Sequence, residues 1–419
     1  MNKILNLVRQ PKYLVLADQA VASAGNFLTG LIIAKALGLV NFGYFASIWM
    51  FQFLIISLQN AFIISPMQIK VAFEEGESRQ KYLTALTLWQ LGWSVLMSVI
   101  TISAISLKTS YLPQLAMQDM IFLLLWMWGY CWQDFLRKIF IALNKVYKAF
   151  WIDMITNFLQ ILWLVVEWQN EQLTFSLTIQ IIVITFLPSV LLGLLFFRFK
   201  STTVKQIKEV FVYHIKDGKW LSATALLQWF AGNYYLIVAA GALGVVALGA
   251  IRMAQNVLGV VSIFFQAFEN YIPTRSAEQL SHSKKAFHQY LKNITSYLFG
   301  GIVALLLVMG IFAKPILEIC GGGEYTQYTF VLRGFLVLNL FIFLGYPVRI
   351  AIRAMEMSRD IFIGYLLTTL ISWLLGPWII DELGITGVIT GLLINQLVLI
   401  GYLYVRLTYQ LKLSSTRLV

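Results

Sequence analysis

Long apolar stretches alternate with short clusters of charge along the whole chain. Seven stretches contain no Asp, Glu, Lys or Arg: 36–69, 82–107, 172–197, 220–251, 293–313, 361–380 and 383–405. A bilayer core takes about 20 mostly apolar residues per helix, and each of these stretches is long enough. Isolated charges interrupt the remaining apolar sequence. Cutting at glycine, proline and charge clusters predicts helices over 13–37, 42–68, 82–106, 116–142, 146–168, 173–197, 219–242, 246–272, 291–313, 328–354, 358–380 and 383–407. These are twelve spans. Lys3, Arg9, Lys12 and Ala20-Val21-Ala22 imitate a secretory signal, but Asp18 interrupts its apolar part and hydrophobicity continues to Leu37, so a retained first span is expected.

Composition agrees with that pattern. Of 419 residues, 59% are hydrophobic and 12% charged, against about 25% charged in a soluble domain. No water-soluble surface can be built from this, so the chain is read as an all-α polytopic membrane protein. The two cysteines, Cys131 and Cys320, have no metal-ligand or redox spacing. Orientation follows from Lys and Arg in the turns. With the N-terminus inside, 26 of the 31 basic residues fall in inner segments, Arg137, Lys138, Arg349 and Arg353 among them. Both termini are therefore expected on the cytoplasmic side of the cytoplasmic (inner) membrane. The net charge of +12 then reports orientation and gives no reason to expect nucleic acid as a partner.

The longest inner connection, 198–218, carries Val204, Ile207, Phe211 and Ile215 at helical spacing between lysines. This pattern predicts an amphipathic helix on the anionic leaflet. It divides the chain into an N-lobe (1–200), a connector (201–218) and a C-lobe (219–419). The lobes resemble each other at their outer turns. Ala36-Leu37-Gly38-Leu39-Val40-Asn41-Phe42-Gly43 aligns with Ala242-Leu243-Gly244-Val245-Val246-Ala247-Leu248-Gly249 at an offset of 206, and Pro66 and Pro273 are expected to close the helices that follow. Two sets of six spans in the same orientation point to a parallel repeat.

The outer-turn pattern, the following proline and the segment Gly322-Gly323-Glu324-Tyr325…Val331-Leu332-Arg333 resemble the Wzx-type polysaccharide flippases of the MOP exporter superfamily. That resemblance implies two six-helix lobes facing a central cavity, a MOP/MATE-like fold. It also implies movement of undecaprenyl-pyrophosphate-linked oligosaccharides, with membrane lipids and polysaccharide polymerase or assembly proteins as partners. Drug/cation antiporters and the lipid II flippase share the fold. The lipid II flippases carry arginines on the cavity face of the first helices, whereas span one here presents Asp18, so their pyrophosphate recognition does not transfer.

Polar residues inside the spans supply candidate chemistry. A charge at mid-membrane costs about 2.5–3.5 kcal/mol on insertion scales, so each needs a partner or water. Span eight carries Arg252, Gln255, Asn256, Ser262, Gln266, Glu269 and Asn270 on one face. Span ten carries Asn339, Tyr346, Arg349 and Arg353, and span two carries Gln52, Gln59 and Asn60. Arg252 is the first candidate for an anion contact and Lys35 the second, with Arg349 and Arg353 placed for a pyrophosphate. Gln255, Asn256, Gln59, Asn60 and Asn339 are candidates for sugar hydroxyls. Each amide has a structural reading as interhelical glue, Lys35 as a snorkelling helix-end lysine, and Asp134 as an i,i+4 partner of Lys138. Asp18, Asp134, Asp153 and Glu269 are candidates for H+ or Na+ coupling. No cofactor or metal is expected, there is no GxxxxGK[ST] loop or GxSxG elbow, and the short outer segments argue against an enzyme. Two alternatives remain: a drug/cation antiporter of the same fold, and a membrane glycan polymerase or ligase.

Overall fold

The computed structural model describes residues 11–106, 117–261, 282–355 and 357–416, with a few single positions between 262 and 281. Within them the chain is helical, and no strand occurs among the described residues. The helices are α1 (11–37), α2 (39–73), α3 (Gly76–Ser106), α4 (Met117–Ala142), α5 (Val146–Gln169), α6 (Phe175–Leu195), α7 (Val204–Leu243), α8 (Val245–Val257), α9 (Lys284–Ile311), α10 (Thr329–Ala354), α11 (Ser358–Leu383) and α12 (Ile385–Thr416). Among the described residues, nine helices are long and apolar enough to cross a membrane. One of these, Ala17–Phe73, divides at Gly38 into α1 and α2. With α4 and the shorter apolar helix Val245–Val261, the described chain has the twelve-helix content that the hydropathy pattern predicts. This is an integral membrane protein.

The chain forms two compact units, Met1–Leu226 and Leu227–Val419. In the first, α1 packs along α5, and α6 lies against both α4 and α5. The α1–α5 crossing is tight, because a Cβ on Gly25 would stand 1.7 Å from Asn157 Oδ1. In the second, α12 packs against α10 and α11. Tyr325, 1% exposed, packs against the turn before α10, where a Cβ on Gly321 would meet its ring.

The repeat in the outer turns has a backbone counterpart. Gly38 has φ 72° and ψ 178°, and Gly244, 206 residues later, has φ 83° and ψ 177°. This region of backbone space is essentially restricted to glycine. The same residue therefore makes the same sharp turn at the same point of each half.

Two local expectations change. Pro66 does not end its helix, which continues to Phe73 through a π turn at Asn60–Ile64. Proline cannot donate to the carbonyl four residues back, here that of Phe62. His214 fills the vacancy, its Nδ1–H donating to Phe62 O at 2.8 Å while Tyr82 hydroxyl meets Nε2 at 2.9 Å. The connector is likewise no separate surface helix. It is helical from Val204 and runs unbroken into the seventh span. Gly218 is a close-approach residue here, since a Cβ would stand 3.0 Å from Phe62 Cα and 3.2 Å from Ala61 O. Pro273 lies outside the described residues.

Candidate functional site

Each unit gathers polar groups in its interior, and the two interiors differ in kind. In the first, α1, α4 and α5 bring Asp18, Arg137 and Asp153 together. Arg137 Nη2 lies 2.6 Å from Asp18 Oδ2, and its Nε lies 2.8 Å from Asp153 Oδ2. Gln133 donates to Asp153 Oδ1 at 3.0 Å. Asp18 is fully buried and Asp153 nearly so, while the Arg137 side chain is 14% exposed. Asp134 stands near enough to act electrostatically on Arg137 and Asp153. Asp18 Oδ1 and Asp134 Oδ2 are buried without a hydrogen-bond partner. Two carboxyl groups thus share one guanidinium, with a third nearby. Burying unbalanced charge costs several kcal/mol per ion, and Arg137 balances part of that charge through its two ion pairs.

The sequence places Asp18, Asp134 and Asp153 as candidates, and the fold collects all three. It misses Arg137, which the charge pattern assigns to an inner basic turn. The i,i+4 pairing of Asp134 with Lys138 does not form among the described residues; Arg137 pairs with Asp18 and Asp153 across helices instead. Glu269 lies outside the described residues, as do Ser262, Gln266 and Asn270.

The other candidates in this unit are held by neighbouring helices. Gln59 is fully buried, donates to Cys131 O at 3.1 Å and accepts from Gln90 at 3.0 Å. These bonds join α2, α3 and α4. Asn60 opens the π turn and is half-buried. Lys35 Nζ sits over the Trp168 ring, 5.8 Å from its centre, a placement that screens its charge with an aromatic face.

The second unit holds a cavity of about 390 Å³, within the usual range for ligand pockets. α7 contributes Gln228, α8 Gln255, α10 Asn339 and Arg349, α11 Tyr365 and Thr368, and α12 Asn395 and Gln396; apolar side chains such as Phe335 and Leu392 complete the wall. Five carboxamides and one cation line it, with no carboxylate among the described lining. Asn395 is committed to structure, donating to Ala231 O at 2.9 Å and to Ser372 Oγ at 2.7 Å. Asn339 donates to Phe335 O, which leaves its carbonyl oxygen.

Arg349 stacks on Tyr346 at 4.5 Å and turns one N–H back to Ile342 O at 3.0 Å. Its Nε is buried with no partner. Arg252 is not part of the cavity wall. It bonds Gln255 Oε1 at 2.8 Å and Asn233 Oδ1 at 3.2 Å, holding Gln255 so that its amide N–H2 remains to serve the cavity. Asn256 is half-buried beside it, outside the cavity lining, and Arg353 is exposed at the end of α10.

No protein-family model matches the sequence, and no curated protein sequence matches it. Solved structures do. The chain is similar to a multidrug resistance MATE family transporter of the MOP superfamily in an inward-facing conformation, with a TM-score of 0.70, 14% identity and 96% of each chain covered. It is similar to the lipid II flippase MurJ in an inward closed conformation, with a TM-score of 0.66, 15% identity, and 93% of this chain and 86% of that one covered. A MOP superfamily transporter from Pyrococcus furiosus, described as having a binding pocket of reversed polarity, gives a TM-score of 0.62 at 14% identity over 97% of each chain. The fold is that of the MOP superfamily transporters.

Proposed function

We propose that this protein is an alternating-access flippase. It moves polyprenyl-pyrophosphate-linked oligosaccharides from the inner to the outer leaflet of the cytoplasmic membrane, with both termini cytoplasmic. The single observation that supports this reading is the lining of the cavity in the second unit. Each sugar hydroxyl carried into hydrocarbon without a partner costs on the order of several kcal/mol. Gln228, Gln255, Asn339 and Gln396 offer amide donors and acceptors for them. Arg349, with its buried and unpartnered Nε, supplies a charge-assisted contact for an anionic headgroup. A polyprenyl tail would stay in lipid while the headgroup passes the polar interior.

In this reading the repeat makes two six-helix lobes, 1–200 and 219–419, joined through 201–218. The cluster of Asp18, Asp134 and Asp153 around Arg137 binds a proton or Na+ and makes the return step gradient-dependent. Polymerase or assembly proteins would receive the product.

A drug/cation antiporter is the competing reading. The first unit's carboxylates favour it, as does the likeness to the MATE transporter. The Arg349-lined cavity opposes it, because a guanidinium repels a cationic drug. The test uses proteoliposomes with a fluorescent undecaprenyl-pyrophosphate oligosaccharide and an impermeant quencher, under a pH or a Na+ gradient, for wild type and Arg349→Gln. Translocation lost with Arg349 supports the flippase. No translocation, together with gradient-driven efflux of a lipophilic cation, replaces it with the antiporter.

A further inference from the structure

A second cavity lies where the basic end of the first unit meets the start of α7. It measures about 210 Å³ and is lined by Lys70, Glu74, Ser78, Lys81 and Tyr82 from the α2–α3 turn, with Gln206, Glu209, Val210 and Tyr213 from α7. Three contacts pin its two walls together: the His214 bonds to Phe62 and Tyr82, the edge-to-face pair Trp89–Phe211 at 4.6 Å, and Lys70 over the Tyr213 ring at 5.6 Å. The cavity is therefore a fixed feature of the fold.

Two ammonium groups, Lys70 and Lys81, and two carboxylates, Glu74 and Glu209, line it. Lys70 pairs with Glu74 at 3.1 Å and Lys81 with Glu77, outside the lining, at 3.0 Å, while Glu209 has no ion pair among the described residues. Glu74 is held ionised, because the Ser78 hydroxyl and then Lys70 lower its proton affinity. A free anion would meet both carboxylates here, and a simple cation both ammoniums. A ligand carrying one charge of each sign satisfies both.

Exposed apolar side chains adjoin the lining residues along the chain: Phe73 is 80% exposed and Val204 82%, and Ile69, Phe211 and Val212 are also exposed. Next to lysines, such side chains suit an acyl boundary beneath an anionic headgroup layer. A zwitterionic pocket with such neighbours suits a lipid headgroup.

We propose that this cavity binds a membrane phospholipid whose headgroup carries a phosphate and a primary ammonium. The phosphate lies against Lys81 and Lys70, in exchange for their pairs with Glu77 and Glu74. The ammonium donates to Glu209 and Glu74. The lipid joins the α2–α3 turn to α7 beside the His214 bridge, so its binding stabilises that junction. Nothing in this depends on what the protein transports.

Native mass spectrometry of the full-length protein in detergent tests it, with phosphatidylethanolamine, phosphatidylglycerol and phosphatidylcholine of matched chains. The expected result is retention of phosphatidylethanolamine at least fivefold over the other two, because phosphatidylglycerol lacks the ammonium and phosphatidylcholine has no N–H to donate. Glu209→Gln alone should reduce that preference at least threefold, and Lys81→Ala/Glu209→Gln should abolish it. Intrinsic tryptophan melting of each variant, with and without lipid, checks folding and should show the lipid-induced rise in Tm only in wild type. Equal retention of the three lipids overturns the proposal, as does stronger binding of phosphatidylglycerol or a preference unchanged in the double variant. Displacement of the lipid by equimolar soluble phosphoethanolamine would also overturn it, by making a small molecule the natural ligand.

Discussion

The two units start from the same turn and fill their interiors differently. Gly38 and Gly244 bend the chain alike. Beyond them, the first unit buries Asp18 and Asp153 around Arg137, with half-buried Asp134 nearby, and the second lines an open cavity with carboxamides and Arg349. Charge packed inside a helix bundle is expensive and holds only while its partners stay in place. Neutral amides around a cavity cost little when water fills it and exchange that water readily for hydroxyl groups. A shared scaffold has thus been given an ion-paired interior in one half and a solute-sized polar interior in the other.

Substitutions separate the two interiors. The largest effect is expected for Arg137→Met. Breaking a buried ion pair from one side typically costs about 3–5 kcal/mol, and here two carboxylates, Asp18 and Asp153, lose their partner together. Thermal unfolding in detergent should show a large drop in Tm, partly restored by adding Asp153→Asn. An unchanged Tm would mean that water reaches the cluster and that the contrast with the second unit is false.

Gly38→Ala and Gly244→Ala come next. Each forces an alanine into a backbone region that costs about 1–3 kcal/mol, with open space around the Gly244 position. Similar destabilisation by both, read in the same melts, would sharpen the idea of a common frame. A cost at one position only would break it.

Arg349→Gln should lower oligosaccharide translocation tenfold or more, about 1.4 kcal/mol in transition-state terms, with a Tm close to wild type. A Tm loss as large as that of Arg137→Met would make Arg349 a structural residue like those of the first unit. The smallest effect is expected for Arg252→Ala. Releasing Gln255 and Asn233 without removing a cavity-lining group should slow translocation by a few-fold only. A loss exceeding that of Arg349→Gln would move the anion contact onto α8.

Much of the frame could be read along the chain. Twelve apolar segments follow from bilayer thickness and helix rise alone, and the 206-residue offset located the glycine turns. Asp18, Asp134 and Asp153 stood out because a carboxylate in an apolar run is rare. Their partner did not stand out, since an arginine near a helix end looks the same whether it reaches headgroups or turns inward. Pro66 looked like a helix stop for a similar reason. Whether a proline breaks a helix depends on what satisfies the carbonyl it abandons, and that group, His214, comes from 152 residues further on.

The sequence by itself thus determined which segments are helical and apolar, where each half turns, and which residues carry charge. Hydropathy, helix length and glycine's backbone freedom are properties of short windows. The tertiary structure alone decided that Asp18 and Asp153 share Arg137, that Gln59 joins three helices, and that Arg349 rather than Arg252 lines the cavity. Those outcomes depend on helix rotation and crossing, which bring Asp18 and Arg137, 119 residues apart, to 2.6 Å, and no local window contains that distance.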